Sequence, residues 1–321
     1  MPGLPDITPL ALRWGLTCDS LCPDCIISGS PQRTTGRWVF QTPDSRRFLL
    51  ESIAAERLPI KKARIALLKN LTDAGLNAVT PYCTGLDGNA VQQYDGRWWQ
   101  LMPYLENTPL KRPAYIQDMW RGSAMADFLV RLWQASDKLN EVFDTETEPL
   151  PDYIYHLMQT LEHREPRTAK RFTPIFRHLT ATLFPIYPDL TAHLCHGDFH
   201  PLNIIWGKNR IRSVIDWEFS GARPVLYDAA NLLGCIGCED PEALTGPMAE
   251  GCITRLQKDP FFTSVSWDYL VDLTLALRFA WLSEWLRTHD REMIEMEADY
   301  MHLILNHRSV LLKCWTEGTD H

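Results

Sequence analysis

Apolar positions along the chain change their period near residue 110. Before it, short β-prone runs alternate with turn residues; after it, apolar residues recur three and four apart. IISGSPQRTTGRWVFQ reads as a strand, a Gly/Ser/Pro turn and a second strand, and RRFLLESI as a third strand after the PDSR turn. Residues 60–74, IKKARIALLKNLTDA, set Ile65, Leu68 and Leu71 at helical spacing, with Gly75 placed as a C-cap. NAVTPYCTGLDGNAVQQYDGRWWQLMPYL reads as strands punctuated by LDGN and YDGR turns. From about residue 114 helical patterns dominate, as in MADFLVRLWQASDKL, YIYHLMQTLEHR and the stretch 267–315. One β-hairpin, 203–217, interrupts them. The pattern predicts an α+β chain with a small strand-rich unit, residues 1–106, and a larger helical unit, residues 107–321. The joint falls in NTPLKRP, 107–113, which is polar and holds two prolines.

Composition narrows the function classes. With 321 residues, 45% hydrophobic and 22% charged, the chain belongs among ordinary globular proteins. Its net charge of -8 disfavours a nucleic-acid partner and leans towards a cationic substrate. The apolar segment YLVDLTLALRFAWLSEWL carries Asp272, Arg278 and Glu284, so a buried helix is expected there and not a membrane span. The opening MPGLPDITPLALRWGL lacks a basic start followed by an apolar run; no secretory leader and a cytoplasmic location are expected. Nine cysteines include two C-x-x-C pairs, Cys22/Cys25 and Cys235/Cys238, with Cys18 near the first. They read either as a four-thiolate zinc site or as small buried apolar residues; nothing around them resembles a zinc ribbon.

The chemistry concentrates in CHGDFHPLNIIWGKNRIRSVIDWEFSG, residues 195–221. Two β-prone runs joined by GKNR bring Asn203, at the start of one strand, towards Asp216, at the end of the other. Asp198 lies in the loop just before. Hard oxygen ligands with open positions suit Mg²⁺ carried in with a phosphate. A blander reading makes these acids solvated turn residues.

The run from His196 through Gly197, Asp198, Phe199, His200, Pro201 and Leu202 to Asn203 resembles the catalytic loop of the aminoglycoside phosphotransferase/choline kinase family, which shares the protein-kinase fold. Ile215-Asp216-Trp217-Glu218 resembles that family's metal-binding motif, and Tyr227-Asp228 its later structural aspartate. Chain length and the tail around Leu277-Arg278-Phe279 resemble the homoserine-kinase-like branch. The resemblance implies a two-lobed protein-kinase-like fold, Mg²⁺ as cofactor, ATP or GTP as co-substrate and a small-molecule acceptor. Asp198 would orient the acceptor hydroxyl, while Asn203 and Asp216 hold the metal. Glu218 would join a second metal or face the substrate, and His196 and Asp228 would order the loop.

Over residues 1–110 the likeness is one of layout. Ser28, Gly29 and Ser30 stand where a phosphate-covering loop is expected, and Pro103 and Leu105 where a hinge would meet the nucleotide base. Glu51 falls where the family carries a strand lysine, and Arg64 where it carries a helix glutamate. Three readings follow: an inverted Glu51–Arg64 ion pair with Arg64 on the phosphates, Lys61 or Lys62 in that role, or a defective donor site. For the acceptor, Trp281 and Trp285 share a helix face beside Glu284, and Trp217 sits next to the metal aspartate. These residues form either a wall for an amine or quaternary ammonium group, or ordinary core. The leading expectation is a small-molecule kinase. The alternative is a kinase-fold regulator with little turnover, motivated by Glu51. Trp217-Glu218 in place of Phe-Gly argues against a protein kinase.

Overall fold

The computed structural model describes residues 6–28, 34–139, 148–263 and 266–316. The chain divides into two compact units, one comprising Met1–Pro109, Gln134–Glu141 and Pro201–Phe219, the other Leu110–Trp133, Val142–His200 and Ser220–His321. The first break, at 109/110, falls within NTPLKRP. The hairpin at 203–217 is grouped with the strand-rich unit and not with the helices that flank it in sequence.

In chain order, the first unit begins with α1 (Ile7–Ala11), β1 (Ser20–Leu21), β2 (Gly36–Gln41), β3 (Arg47–Ile53), α2 (Leu58–Asp73), β4 (Val91–Tyr94) and β5 (Arg97–Pro103). Its strands form one antiparallel sheet in the order β1-β2-β3-β5-β4. The first strand is Ser20–Leu21, paired with Gln41 and Phe40, and not the Ile26–Ile27 run expected from apolar content. The YDGR turn closes the β4–β5 hairpin with Asp95 and Gly96 both at positive φ, 48° and 69°, as a twist-matched two-residue turn requires.

Strand parity decides what faces what, because side chains alternate between the two faces of a sheet. Phe40, Phe48, Leu50, Trp99 and Leu101 fall on one face and pack with Ile7, Leu10 and Trp14 of the N-terminal segment into an apolar cluster. Arg37, Leu49, Glu51 and Met102 fall on the other face and line a cleft with Lys61, Arg64 and Leu68 of α2. Leu71 of α2 is fully buried, and Gly75 follows the helix at φ 102°.

Beyond residue 110 come α3 (Met119–Ser136), α4 (Leu150–Arg164), α5 (Pro166–Ala181), β6 (Ala192–Cys195), β7 (Ile204–Trp206), β8 (Ile211–Val214), β9 (Gly221–Pro224) and α6 (Tyr227–Glu239). The chain then forms α7 (Pro247–Gln257), α8 (Pro260–Thr263), α9 (Leu270–Thr288), α10 (Arg291–Asn306) and α11 (Arg308–Thr316). Within the second unit β6 pairs antiparallel with β9. The stretch from Leu270 to Phe279 is continuously buried, including Asp272, which Arg308 grips through Nε at 2.7 Å and Nη2 at 2.9 Å. Among the described residues no helix is long and apolar enough to cross a membrane.

Candidate active site

The cleft of the first unit is built from the strand face just described, the face of α2 that carries Lys61, Arg64 and Leu68, and the β7–β8 hairpin. Ile205, Val214, Ile215, Asp216, Trp217 and Glu218 line it from the hairpin side. The two open strand ends are tied by Ile215 N–H, which donates to Asn203 O at 2.9 Å, while Val214 N–H donates to Ala78 O, after α2, at 2.8 Å. Asn203 and Asp216 therefore flank one hydrogen-bonded closure, as the hairpin reading expects. Asp216 adopts φ 69°, a left-handed conformation that costs most non-glycine residues about 1–2 kcal/mol and aspartate less. Such strain collects at sites where a side chain must be aimed.

Ser28, Pro103 and Leu105 also line this cleft; Gly29 and Ser30 lie outside the described residues. Tyr104 N–H is engaged by Arg47 O at 2.9 Å. Tyr82 lies deep in the cleft, its hydroxyl accepting from Gln100 Nε2 at 3.2 Å. Burial, and then the Glu51, Glu218 and Asp216 carboxylates, push that phenol well above its ordinary value.

The expected Glu51–Arg64 pair is replaced by another. Cross-strand register sets Arg37 directly opposite Glu51, and Arg37 Nε meets Glu51 Oε1 at 3.1 Å. Gln100 Nε2 donates to the second carboxylate oxygen at 2.7 Å. Arg37 also reaches back to Ser28 O at 2.6 Å, so one guanidinium ties the loop before β2 to Glu51. Arg64 is drawn elsewhere: its Nη2 donates to Glu218 O at 3.3 Å. Lys61, the alternative cation, is buried and forms an ion pair with the Glu218 carboxylate, whose other oxygen meets Arg57 Nη2 at 2.9 Å. Burial works to raise the Glu218 carboxyl, and Lys61 and Arg57 outweigh it, leaving the group below the ordinary glutamate range. Lys62 sits on the opposite side of α2, over the Trp98 ring.

In the second unit the loop after β6 is shaped by Asp228, in the first turn of α6. Its carboxylate accepts from His196 N–H at 2.7 Å and Gly197 N–H at 2.9 Å. Gly197 has φ 85°, a conformation a side chain would resist. Burial pushes the Asp228 carboxyl up to about 6 against the pull of those two donors, so at neutral pH it is an acceptor for both. His196 is fully buried and its Nδ1 accepts Asp198 N–H at 3.2 Å. Asn231 Nδ2 adds a bond to Phe199 O at 3.3 Å. Asp198 keeps 22% of its side chain exposed, with His200 Nε2 3.6 Å from Oδ1. Both His196 and Asp228 thus act on loop geometry, and the one acidic group in the loop that reaches solvent is Asp198.

Of the residues expected to meet an acceptor, Trp281 and Trp285 stack with centroids 5.9 Å apart, and His200 stands edge-on to Trp281 at 6.1 Å. Glu284 is turned onto Arg287 of the same helix, exposed and neutralised there. The buried acid near these rings is Glu297, gripped on both oxygens by Arg278 at 2.6 Å and approached by Trp285 Nε1 at 3.3 Å. Trp217 belongs to the first unit and is buried, its Nε1 donating to Val214 O at 2.9 Å. The cysteines are free thiols. Cys22 and Cys25 lie in the first unit and Cys235 and Cys238 in the second, and among the described residues no cluster of His, Cys, Asp and Glu is placed to hold a metal by itself.

Arg37, Arg57 and Tyr82 escape a motif search because no motif holds them. For Arg37 a signal existed. The PDSR turn pairs Gln41 with Arg47, and counting four residues away from the turn on each strand sets Arg37 across from Glu51.

An antiparallel five-stranded sheet with one long helix, a helical second unit and a loop of spacing H-x-D-x-x-x-x-N braced by a buried aspartate give a protein-kinase-like fold. The model of the phosphotransferase enzyme family matches residues 32–252, and the chain belongs to that family. No curated protein matches the sequence. Among solved structures, an aminoglycoside phosphotransferase from Alicyclobacillus acidocaldarius is similar with a TM-score of 0.62 at 14% identity, over 99% of this chain and 96% of that one. An amicoumacin kinase in complex with AMP-PNP and Ca²⁺ gives a TM-score of 0.61 at 12% identity, over 96% and 94%. The GDP complex of aminoglycoside 2'-phosphotransferase-IIIa gives 0.61 at 16%, over 94% and 97%. At these identities the likeness is one of fold.

Proposed function

We propose that this phosphotransferase is a cytoplasmic small-molecule kinase that moves the γ-phosphate of ATP or GTP to a hydroxyl, with Mg²⁺. The observation that carries the reading is the hairpin closure. Asn203 and a strained Asp216 flank it, at a cleft lined by Arg37, Lys61 and Arg64. Two hard-oxygen side chains without a closed protein cage suit Mg²⁺, whose remaining positions go to phosphate and water. When bound, the ion neutralises charge on the β- and γ-phosphates. The chain's own contribution is positioning: Asp198, held by a buttressed loop and open to solvent, orients the acceptor hydroxyl and takes its proton. The nucleotide base would lie against Pro103 and Leu105, where Pro103 can only accept.

The surroundings of Trp281 and Trp285 favour a neutral acceptor with ring or chain hydroxyls over a quaternary ammonium. Glu284 and Glu297 are each neutralised by an arginine, and the Arg278 guanidinium lies 5.7 Å from the Trp281 ring centre, where a ligand cation would meet like charge. Glu51, the ground for a regulator without turnover, has an ordinary partner in Arg37 and gives that alternative no support.

Thermal unfolding with ATP and GTP, each with and without Mg²⁺, tests the donor site. A nucleotide at about a hundred times its Kd stabilises the native state by about 2.7 kcal/mol. A Mg²⁺-dependent shift with either nucleotide is expected; none with both rejects the reading. Asp198→Asn then cuts turnover by a factor of about 10² to 10⁴ while leaving that shift in place.

A further inference from the structure

The cation-bearing face of α2 ends on one residue. Arg57, Lys61 and Arg64 stand at i, i+4 and i+7, a spacing that stacks them along the helix. Arg57 and Lys61 take one carboxylate oxygen each of Glu218, and Arg64 takes its carbonyl. The Lys61 and Glu218 side chains keep only 9% and 6% of their surface. Withdrawing such charges from water costs several kcal/mol per ion. Lys61 lies seven residues before Leu68 on the buried face of α2, so the helix brings this charge in with its apolar residues. Meanwhile β3 presents to the cleft not a cation but a carboxylate, engaged by Arg37 and Gln100.

We propose that Glu218 is a positioning residue for Lys61 and not a metal ligand, and that Lys61 is the cation this chain presents to the donor phosphates. The inference rests on the nucleotide-dependent reading above. Each Glu218 oxygen already meets a cation, Lys61 of α2 or Arg57 at its N-cap, and on this proposal the ion goes to Asn203 and Asp216. An ammonium has three N–H donors; one goes to Glu218, and Lys61 lines the same cleft as Asp216. The usual strand-to-helix ion pair is thus recast as a helix-to-hairpin pair: the helix provides the cation, and the segment after the metal aspartate provides the acid that aims it.

The test is a double-mutant cycle of Glu218→Gln and Lys61→Met, reading nucleotide KM, kcat and the Mg²⁺ concentration for half-maximal rate. Each single variant raises nucleotide KM by about tenfold or more, which corresponds to roughly 1.4 kcal/mol, with the Mg²⁺ requirement unchanged. The double variant is no worse than Lys61→Met alone, because a positioning residue has nothing left to position. A Glu218→Gln enzyme restored by raising Mg²⁺, or losses that add in the double variant, overturns the proposal. Arg57→Gln, at a side chain 36% exposed, is a milder probe if the buried variants do not fold. A smaller rise in nucleotide KM supports the proposal, and no change counts against it. Wild-type protein that binds no nucleotide fails the underlying reading before any variant is made.

Discussion

Asp228 does its work with two oxygens and two backbone donors. Replacing it by asparagine keeps the shape but turns an amide NH₂ against one of the His196 and Gly197 N–H groups. A buried donor left unmet costs about 1–3 kcal/mol, so Asp228→Asn loses that much stability in urea titration, and turnover falls as the loop loosens. The Arg278–Glu297 pair makes the same point with charge. Arg278→Met strands a fully buried carboxylate and costs about 3–5 kcal/mol, whereas Arg278→Met combined with Glu297→Leu costs less than the single change; paired denaturation curves discriminate the two. At this scale spacing alone marks the run from His196 through Asp198 to Asn203, whose start the structure shows held by Asp228 and His196. The sequence was unreadable where a partner comes from another element. Strand register, and not spacing, sets Arg37 against Glu51, and α2 with its N-cap sets Lys61 and Arg57 against Glu218.

Elements meet here at points where a side chain would not fit. A Cβ on Gly122 of α3 would lie 1.9 Å from Met248 O of α7, and one on Gly251 of α7 would lie 2.3 Å from Met119 O of α3. The two helices therefore cross with backbone against backbone, and Ser123 Oγ donates to Gly251 O at 3.2 Å across the contact. Gly122→Ala forces the helices apart and destabilises by about 1–3 kcal/mol, a drop in Tm that calorimetry would register. Periodicity located α3 through MADFLVRLWQASDKL, but it does not register that a small residue is there for a neighbour's sake. The converse error befell the first strand. Ile26 and Ile27 have strand-like side chains, yet the sheet edge is formed by Ser20 and Leu21, because pairing with Phe40 and Gln41 is what makes a strand.

Across the molecule, acids set the response to pH. Glu218 and Asp272 are both buried and both held below their ordinary carboxyl values by paired cations, which outweigh the desolvation. Their stabilising contribution is complete above the unfolded carboxyl range, near pH 4, and is lost as pH falls through their lower folded values. Stability measured from pH 7 downwards should therefore drop steeply below about pH 4, and the Glu218→Gln variant, which has no such contribution to lose, should show a shallower acid limb. Two-part organisation was legible from the change of apolar period near residue 110. That the hairpin belongs with the sheet was not, because grouping in space does not follow order along the chain.

The left-handed backbone at Asp216 has a consequence for how such a chain decays over generations. Most residues resist that conformation, but asparagine and glycine accept it readily. Both are also one base change from an aspartate codon. The commonest mutational losses of this carboxylate are therefore among the few that leave the fold untaxed. Asp216→Asn protein should accumulate to wild-type levels in cells while lacking activity, whereas Asp216→Val should be depleted. Lineages that abandon the reaction can thus keep the protein, and a silent descendant would carry asparagine or glycine at this one position inside an otherwise intact scaffold.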